Sequence, residues 1–195
     1  MFEFSLPNSK IIYYPNLWSL DEANFLFKEL KSRIKWQQYY ITLFGKNHPQ
    51  PRLTAWYGDQ GKIYTYSGMT LYPHGWIKPL IIVKEKIEPI INTKFNSVLL
   101  NLYRDGKDGM GWHSDNEKEL GKKPVIASVS LGAQRRFLLK PRDKKNNLRE
   151  EIILSHGSLL IMAGETQEYW LHQIPKTSKP VAPRINLTFR FIVDN

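Results

Sequence analysis

The sequence predicts an α+β fold: helices first, then a double-sheet β core of jelly-roll type. Three observations carry this. Helical periodicity is confined to the first half of the chain. From residue 98 onward, short β-rich runs alternate with turn clusters, the pattern of an antiparallel sandwich or barrel. The length, 195 residues at 42% hydrophobic, suits one ordinary domain, or one domain with a short N-terminal addition, and gives it a real core.

The elements follow in order. Residues 11–14 read as a short strand. Ser19 and Glu22 form a capping-box pattern ahead of Leu20, Ala23, Leu26 or Phe27, Leu30 and Ile34, so a helix is predicted over 20–34. Residues 41–61 are rich in turn formers. A second helix is predicted over about 77–92, limited at its ends by Pro79 and Pro89. Strands are predicted at 98–103, 125–131, 136–140, 151–154, 158–163, 168–172 and 184–193. The basic turn at 140–149 reads as a solvated hairpin tip.

Composition removes several classes. The absence of Cys excludes disulfides and thiolate metal sites. No apolar run approaches the ~20 residues that cross a bilayer. The first ten residues carry neither a basic nor an apolar signal segment, so no secretory signal and no membrane association are expected. A formal charge of +10 with 13% aromatics points to a polyanion, nucleic acid before membrane.

His113-Ser114-Asp115 is an H-x-D pair. Two residues apart in extended chain, the imidazole and the carboxylate face one side. His172 offers a third ligand, 57 residues past Asp115. Two His and one carboxylate that leave the remaining metal positions open form the facial triad of non-haem Fe(II) oxygenases. His48, His74 and His156 are alternative ligands at this level, and H-x-D by itself is common. The run 184–190 alternates strictly: Arg184, Asn186, Thr188 and Arg190 on one face, Ile185, Leu187 and Phe189 on the other, with Phe191 continuing the apolar side. The apolar face belongs in the core. In a generic strand the polar face meets solvent, but two guanidiniums on one face also suit a small dicarboxylate. Asn101 and Tyr103 share a face just upstream of H-x-D.

Together these residues resemble the AlkB family of Fe(II)/2-oxoglutarate dioxygenases. The set is Asn101-Leu102-Tyr103, His113-Ser114-Asp115, His172 and Arg184-Ile185-Asn186-Leu187-Thr188-Phe189-Arg190, extended by Ser128-Val129-Ser130-Leu131-Gly132-Ala133 and His156-Gly157-Ser158-Leu159-Leu160. The likeness covers roughly residues 40–193. Leu43-Phe44-Gly45-Lys46, Arg52, Tyr57-Gly58-Asp59 and Tyr64-Thr65-Tyr66-Ser67-Gly68 resemble the eukaryotic AlkB homologues that repair alkylated duplex DNA. Asn116, where that group usually has Asp, and the two lysines Lys176 and Lys179, where it has a denser basic cluster, depart from the pattern. The second departure keeps single-stranded DNA open as a substrate.

The resemblance implies a double-stranded β-helix core with N-terminal helices packed on one sheet and a nucleotide-recognition lid. It divides a single domain into about 1–40, an N-terminal strand and helix; about 41–95, the nucleotide-recognition segment; and about 96–195, the jelly roll. It implies Fe(II) on His113, Asp115 and His172. It implies 2-oxoglutarate held by Asn101, Tyr103, Arg184, Asn186, Thr188 and Arg190, with O2 as the other substrate. DNA contacts fall to Phe44, an intercalating finger, and to Lys46, Arg52, Tyr64, Tyr66, Asn116 and Glu117. The implied reaction is oxidative demethylation of N1-methyladenine and N3-methylcytosine on a flipped base, with release of formaldehyde. The alternatives are the same chemistry on single-stranded DNA or RNA, a protein hydroxylase, and a non-catalytic binder of alkylated nucleic acid. A monomer is expected. So is a bacterial cytoplasm with nucleoid association, or a nucleus if the source is eukaryotic.

Overall fold

The computed structural model describes residues 1–43, 45–62, 64–66 and 69–193, without the side chains of Leu43, Tyr64–Tyr66 and Met69–Leu71. Fifteen strands and three α-helical segments are described. In chain order they are β1 (Phe2–Phe4), β2 (Lys10–Tyr14), α1 (Leu20–Arg33), β3 (Tyr40–Leu43), β4 (Lys46–Pro49), β5 (Leu53–Gly58), β6 (Tyr64–Tyr66), β7 (Met69–Leu71), α2 (Lys78–Ile91), β8 (Ser97–Tyr103), β9 (Met110–His113), β10 (Ile126–Gly132), β11 (Arg135–Pro141), β12 (Glu150–Leu154), β13 (Ser158–Ala163), α3 (Thr166–Tyr169), β14 (Trp170–Ile174) and β15 (Arg184–Arg190).

The strands form a seven-stranded sheet in the order β1-β2-β13-β10-β15-β8-β5 and a four-stranded sheet in the order β12-β11-β14-β9. All their pairings are antiparallel. Two hairpins, β3–β4 and β6–β7, stand outside them. This is the expected α+β arrangement with a double-sheet core.

Helix α1 starts as its sequence dictates. Ser19 Oγ accepts from the Glu22 N–H, and the Glu22 carboxylate accepts from the Ser19 N–H, a closed capping box. Ala23, Leu26 and Leu30 are buried, whereas Leu20 at the first turn is exposed. Helix α2 carries Pro79 in its first turn, where no intrahelical partner for the missing N–H is needed, and ends on Asn92 in the left-handed region. Both helices cover one face of the large sheet. Leu26, Leu30, Leu80, Val83 and Ile87 pack there on Leu100, Val129, Ile185, Leu187 and Phe189. A second cluster, with Leu99, Ile126, Phe137, Leu139, Leu160 and Trp170, fills the space between the two sheets.

The structure departs from the sequence reading at several places. The turn-rich stretch 41–61 contains β3, β4 and β5, and β5 is an edge strand of the large sheet paired with β8. Turn formers dominated the local pattern there, while tertiary pairing decided the conformation. The run read as a strand from 168 begins with the helical turn α3, and extended chain starts only at Trp170. Strand β15 stops at Arg190, so Phe191 leaves the apolar face and is 48% exposed. All seven residues of β15 are buried, so its polar face does not meet solvent as that of a generic strand would. Gly132 closes β10 at φ +95°, where a Cβ would collide with the Pro183 carbonyl. That close approach lets β15 enter the sheet with Arg184 opposite Gly132.

Candidate active site

The register of the small sheet brings the first two imidazoles together. His113, the last residue of β9, lies opposite His172 on β14. Their rings are 4.2 Å apart at 64°, and Phe137 of β11 stacks on His172 at 5.2 Å. Asp115 follows two residues past His113. One ligand atom from each of His113, Asp115 and His172 lies within 4.8 Å of the others, the one such cluster of His, Asp and Glu among the described residues. His48 is exposed on β4, His74 packs on Tyr57, and His156 accepts the Gly132 N–H, so these three play no part in the cluster.

The protonation states favour metal binding. Burial pushes the His172 imidazole down to about 3, helped by His113 beside it, and burial lowers His113 as well. Both rings are neutral at pH 7 and keep a lone pair. His113 Nδ1 is 2.8 Å from the Gly111 carbonyl, which can only accept. The proton therefore sits on Nδ1 and Nε2 is the free donor atom. Burial would raise the Asp115 carboxyl, but the Arg190 guanidinium and the two imidazoles outweigh it and hold it at about 2. Arg190 Nη2 donates to Asp115 Oδ1 at 2.8 Å, with both side chains almost fully buried.

The polar face of β15 supplies the adjoining wall. A narrow cavity reaches from the three ligands past Asn101, Tyr103, Ser128, Asn186 and Thr188 to Arg184. Asn186 donates to Ser128 Oγ at 2.8 Å, and Thr188 donates to Asn186 Oδ1 at 3.1 Å. Arg184 is 1% exposed and donates through Nη2 to Ser130 Oγ at 2.8 Å. Its Nε and Nη1 make no hydrogen bond in the structure, with Tyr103 lying beside the guanidinium. Burial pushes this guanidinium down to about 10, so it remains a cation at neutral pH. A buried cation with unsatisfied donors is costly unless an anion completes it. Tyr103 lies between two guanidiniums, Arg184 at 5.2 Å and Arg135 at 5.6 Å.

All six residues expected to hold the cosubstrate therefore line one cavity with the three expected metal ligands. Arg190 does so as the ion-pair partner of Asp115. Arg52, expected on the DNA side, is 4% exposed, and its Nε donates to Asn101 Oδ1 at 3.0 Å. Lys46 is exposed on β4, away from the cavity lining. Asn116 is exposed and Glu117 half-buried, directly after Asp115. Tyr64 and Tyr66 lie on β6, their side chains outside the description, and Phe44 lies outside the described residues. The register of β3 and β4 pairs Leu43 with Lys46.

Several residues of the site were missed in the sequence. Ser128 and Ser130 alternate on β10, and Arg135 shares the inward face of β11 with Phe137. Period-two reading of those strands would have found all three. Gln167, whose Oε1 accepts the Asp115 N–H at 2.9 Å, had no such signal.

Comparisons with known proteins agree with this geometry. Residues 10–190 match the family model of the 2OG-Fe(II) oxygenase superfamily. The mouse protein named alpha-ketoglutarate-dependent dioxygenase alkB homolog 3 is 43% identical over 192 residues, covering 94% of this chain and 66% of that protein. The human DNA oxidative demethylase ALKBH2 is 40% identical, covering 92% of this chain and 72% of its own length. The chain thus spans just under two thirds of the mouse relative. Among solved structures, OsALKBH1 superposes with a TM-score of 0.67 at 16% identity over 96% of this chain and 98% of that one. A Trichoplax adhaerens prolyl hydroxylase superposes with a TM-score of 0.64 at 12% identity, over 93% of this chain and 83% of that one. These two speak for the fold, the jelly roll shared by such oxygenases. The chain belongs to the 2OG-Fe(II) oxygenase superfamily, and within it to the AlkB homologues.

Proposed function

We propose that this chain is an oxidative DNA demethylase that removes N-methyl groups from N1-methyladenine and N3-methylcytosine. The observation that carries it is the His113, Asp115 and His172 cluster, the last two buried, beside a fully buried Arg184 whose Nε and Nη1 make no hydrogen bond. Two relatives named for the substrate, the human and bovine DNA oxidative demethylases, at 40% and 41% identity, support the nucleic-acid assignment. So does a formal charge of +10.

The residues fit the cofactors of the family. His113, Asp115 and His172 would hold Fe(II) through two neutral imidazoles and one ionised carboxylate. Arg184, with Ser130 and Tyr103 beside it, would take the far carboxylate of 2-oxoglutarate through its spare Nε and Nη1. Bound iron, with 2-oxoglutarate and O2, supplies the oxidation that inserts one oxygen atom into a C–H bond of the N-methyl group, leaving succinate and CO2. The protein does the positioning. Arg190 keeps Asp115 ionised and aimed. Gly111 fixes the His113 tautomer. Phe137 and the apolar wall between the sheets keep water from the reacting centre. The hydroxymethyl group on nitrogen then collapses to formaldehyde and the unmethylated base.

On the substrate side, Tyr66 would stack on the flipped base and Tyr64 would hydrogen-bond at its edge. Glu117 and Asn116 would read its exocyclic group. A cationic methylated base cannot pair and is cheaper to extrude, which gives part of the selectivity. Phe44 would fill the gap in the stack, and Lys46, two residues on in sequence, would meet phosphate, which favours a duplex. Arg52, buried on Asn101, then acts from beneath the cosubstrate wall rather than at the DNA surface. The chain would act as a monomer and as one domain, with about 41–95 facing the nucleic acid. It would work at the nucleoid of a bacterial cytoplasm, or in the nucleus of a eukaryotic cell. Among the described residues no helix is long and apolar enough to cross a membrane.

The test compares methylated single-stranded DNA, duplex DNA and RNA with wild type and Phe44→Ala. Loss of duplex activity alone in Phe44→Ala is expected. Activity on single strands alone, unchanged in Phe44→Ala, would remove the duplex reading and leave single-stranded DNA or RNA.

A further inference from the structure

We propose that Gln167 is a positioning residue that sets the affinity of the metal centre, by tying the H-x-D segment to the turn that leads into His172. This rests on the metal reading above.

Turn α3 lies between β13 and the strand that carries His172. It is pinned from below. Thr166, 1% exposed, donates to the Ala163 carbonyl at 2.5 Å and accepts the Lys10 N–H at 3.0 Å. Trp170 continues directly into β14, so His172 is three residues from the end of the pinned turn. Asp115, by contrast, lies past the end of β9 with no strand partner of its own. Two side-chain contacts tie its segment to the turn. Gln167, 2% exposed, accepts the Asp115 N–H through Oε1 at 2.9 Å, while its Nε2 faces Met162 Sδ at 3.6 Å. The N–H donor requires the oxygen on that side, which fixes the orientation of the amide. On the outer side, Arg142 donates through Nη2 to Ser114 Oγ at 2.6 Å and through Nε to the Glu168 carbonyl at 3.1 Å.

Asp115 is thus held at both ends: its carboxylate by Arg190, its backbone by Gln167. Arg190 directs the charge. Gln167 fixes where the residue stands relative to His172. Without an acceptor at 167, the buried Asp115 N–H loses its partner and the segment must shift to find another. Groups that orient metal ligands from behind typically cost 10–100-fold in metal affinity when removed.

The experiment titrates metal-free protein with Mn(II) alone, reading free Mn(II) by electron paramagnetic resonance. Wild type, His172→Ala, Gln167→Met and Gln167→Glu are compared. Gln167→Met keeps the length of the side chain and removes the acceptor; Gln167→Glu keeps an acceptor oxygen. We expect Gln167→Met to bind Mn(II) about 10–100-fold more weakly than wild type, and Gln167→Glu to recover most of that loss. Arg142→Met, at the exposed end of the tether, should show a smaller weakening in the same direction, and it serves if the buried variants do not fold. Gln167→Met binding as tightly as wild type would overturn the proposal. So would equal losses in both Gln167 variants, which would mean packing rather than the acceptor matters. If only the Arg142 variant folds, unchanged binding in it overturns the tether. Wild type that fails to bind Mn(II), or binds it as weakly as His172→Ala, would instead remove the metal reading beneath it.

Discussion

The two faces of β15 are equally buried and are held by different physics. Ile185, Leu187 and Phe189 face the helices and are fully enclosed by apolar side chains. Arg184, Asn186, Thr188 and Arg190 face the small sheet, with exposures of 1%, 8%, 7% and 2%. The first face stabilises the fold by removing hydrocarbon from water and filling space. The second buries two cations and two polar groups, and partners them in part through Ser130, Ser128, Asp115 and one another. Arg184 keeps donors that nothing satisfies. A strand whose one face is a closed core and whose other face is incomplete has its incomplete face built for a ligand.

Substitutions on the two faces should separate accordingly. The largest effect is expected from His172→Ala, which removes a ligand and should abolish turnover while the fold persists, as read by circular dichroism. Next, Arg190→Met strands the Asp115 carboxylate in the interior. Breaking a buried pair from one side costs about 3–5 kcal/mol, measurable by denaturant unfolding of the metal-free protein. Leu187→Ala should cost a comparable amount, about 2–5 kcal/mol, while leaving the dissociation constant for 2-oxoglutarate unchanged in the metal-loaded protein. Arg184→Met should do the reverse: 2-oxoglutarate binding collapses, and stability without ligand holds or rises, because an incompletely satisfied buried cation has gone. Equal behaviour of Leu187→Ala and Arg184→Met in both measurements would break the contrast between the faces.

A smaller effect follows from protonation. His172 is held at about 3 in the folded protein, against about 6.5 for a free imidazole. Between these values the unfolded chain binds a proton that the folded chain refuses. Stability of the metal-free protein therefore falls as pH drops from about 6.5 towards 3. Asp115, held at about 2, adds to the loss as pH falls below the ordinary carboxylate range of about 4. His172→Gln should flatten the upper part of that slope in urea titrations at pH 7, 5 and 4. The smallest effect is at the cap: Ser19→Ala should cost about 1 kcal/mol and leave ligand binding untouched.

Much of this was legible in the sequence because it is periodic. The alternation over 184–190 marks both faces of β15, and the capping box marks the start of α1. The triad was open at the level of residue types, with three other histidines as alternatives, and became legible through the resemblance of the whole motif set to the AlkB family. What the sequence concealed depends on pairing between distant segments. The strands within 41–61 carry turn residues, and β5 becomes a strand only because β8 lies beside it. Arg52, a DNA contact by the resemblance, is buried and donates to Asn101 Oδ1. Phe191 kept the alternation going on paper, but the strand had ended. Gln167 has no local signature, because its meaning comes from the backbone of Asp115, far earlier in the chain.

The most direct test follows one N1-methyladenine oligonucleotide by mass spectrometry, with Fe(II), 2-oxoglutarate and air, in wild type and His172→Ala. Wild type should convert the methylated base to adenine and release formaldehyde and succinate together, and His172→Ala should release neither. Demethylation that survives in His172→Ala, or proceeds without 2-oxoglutarate, would contradict the account.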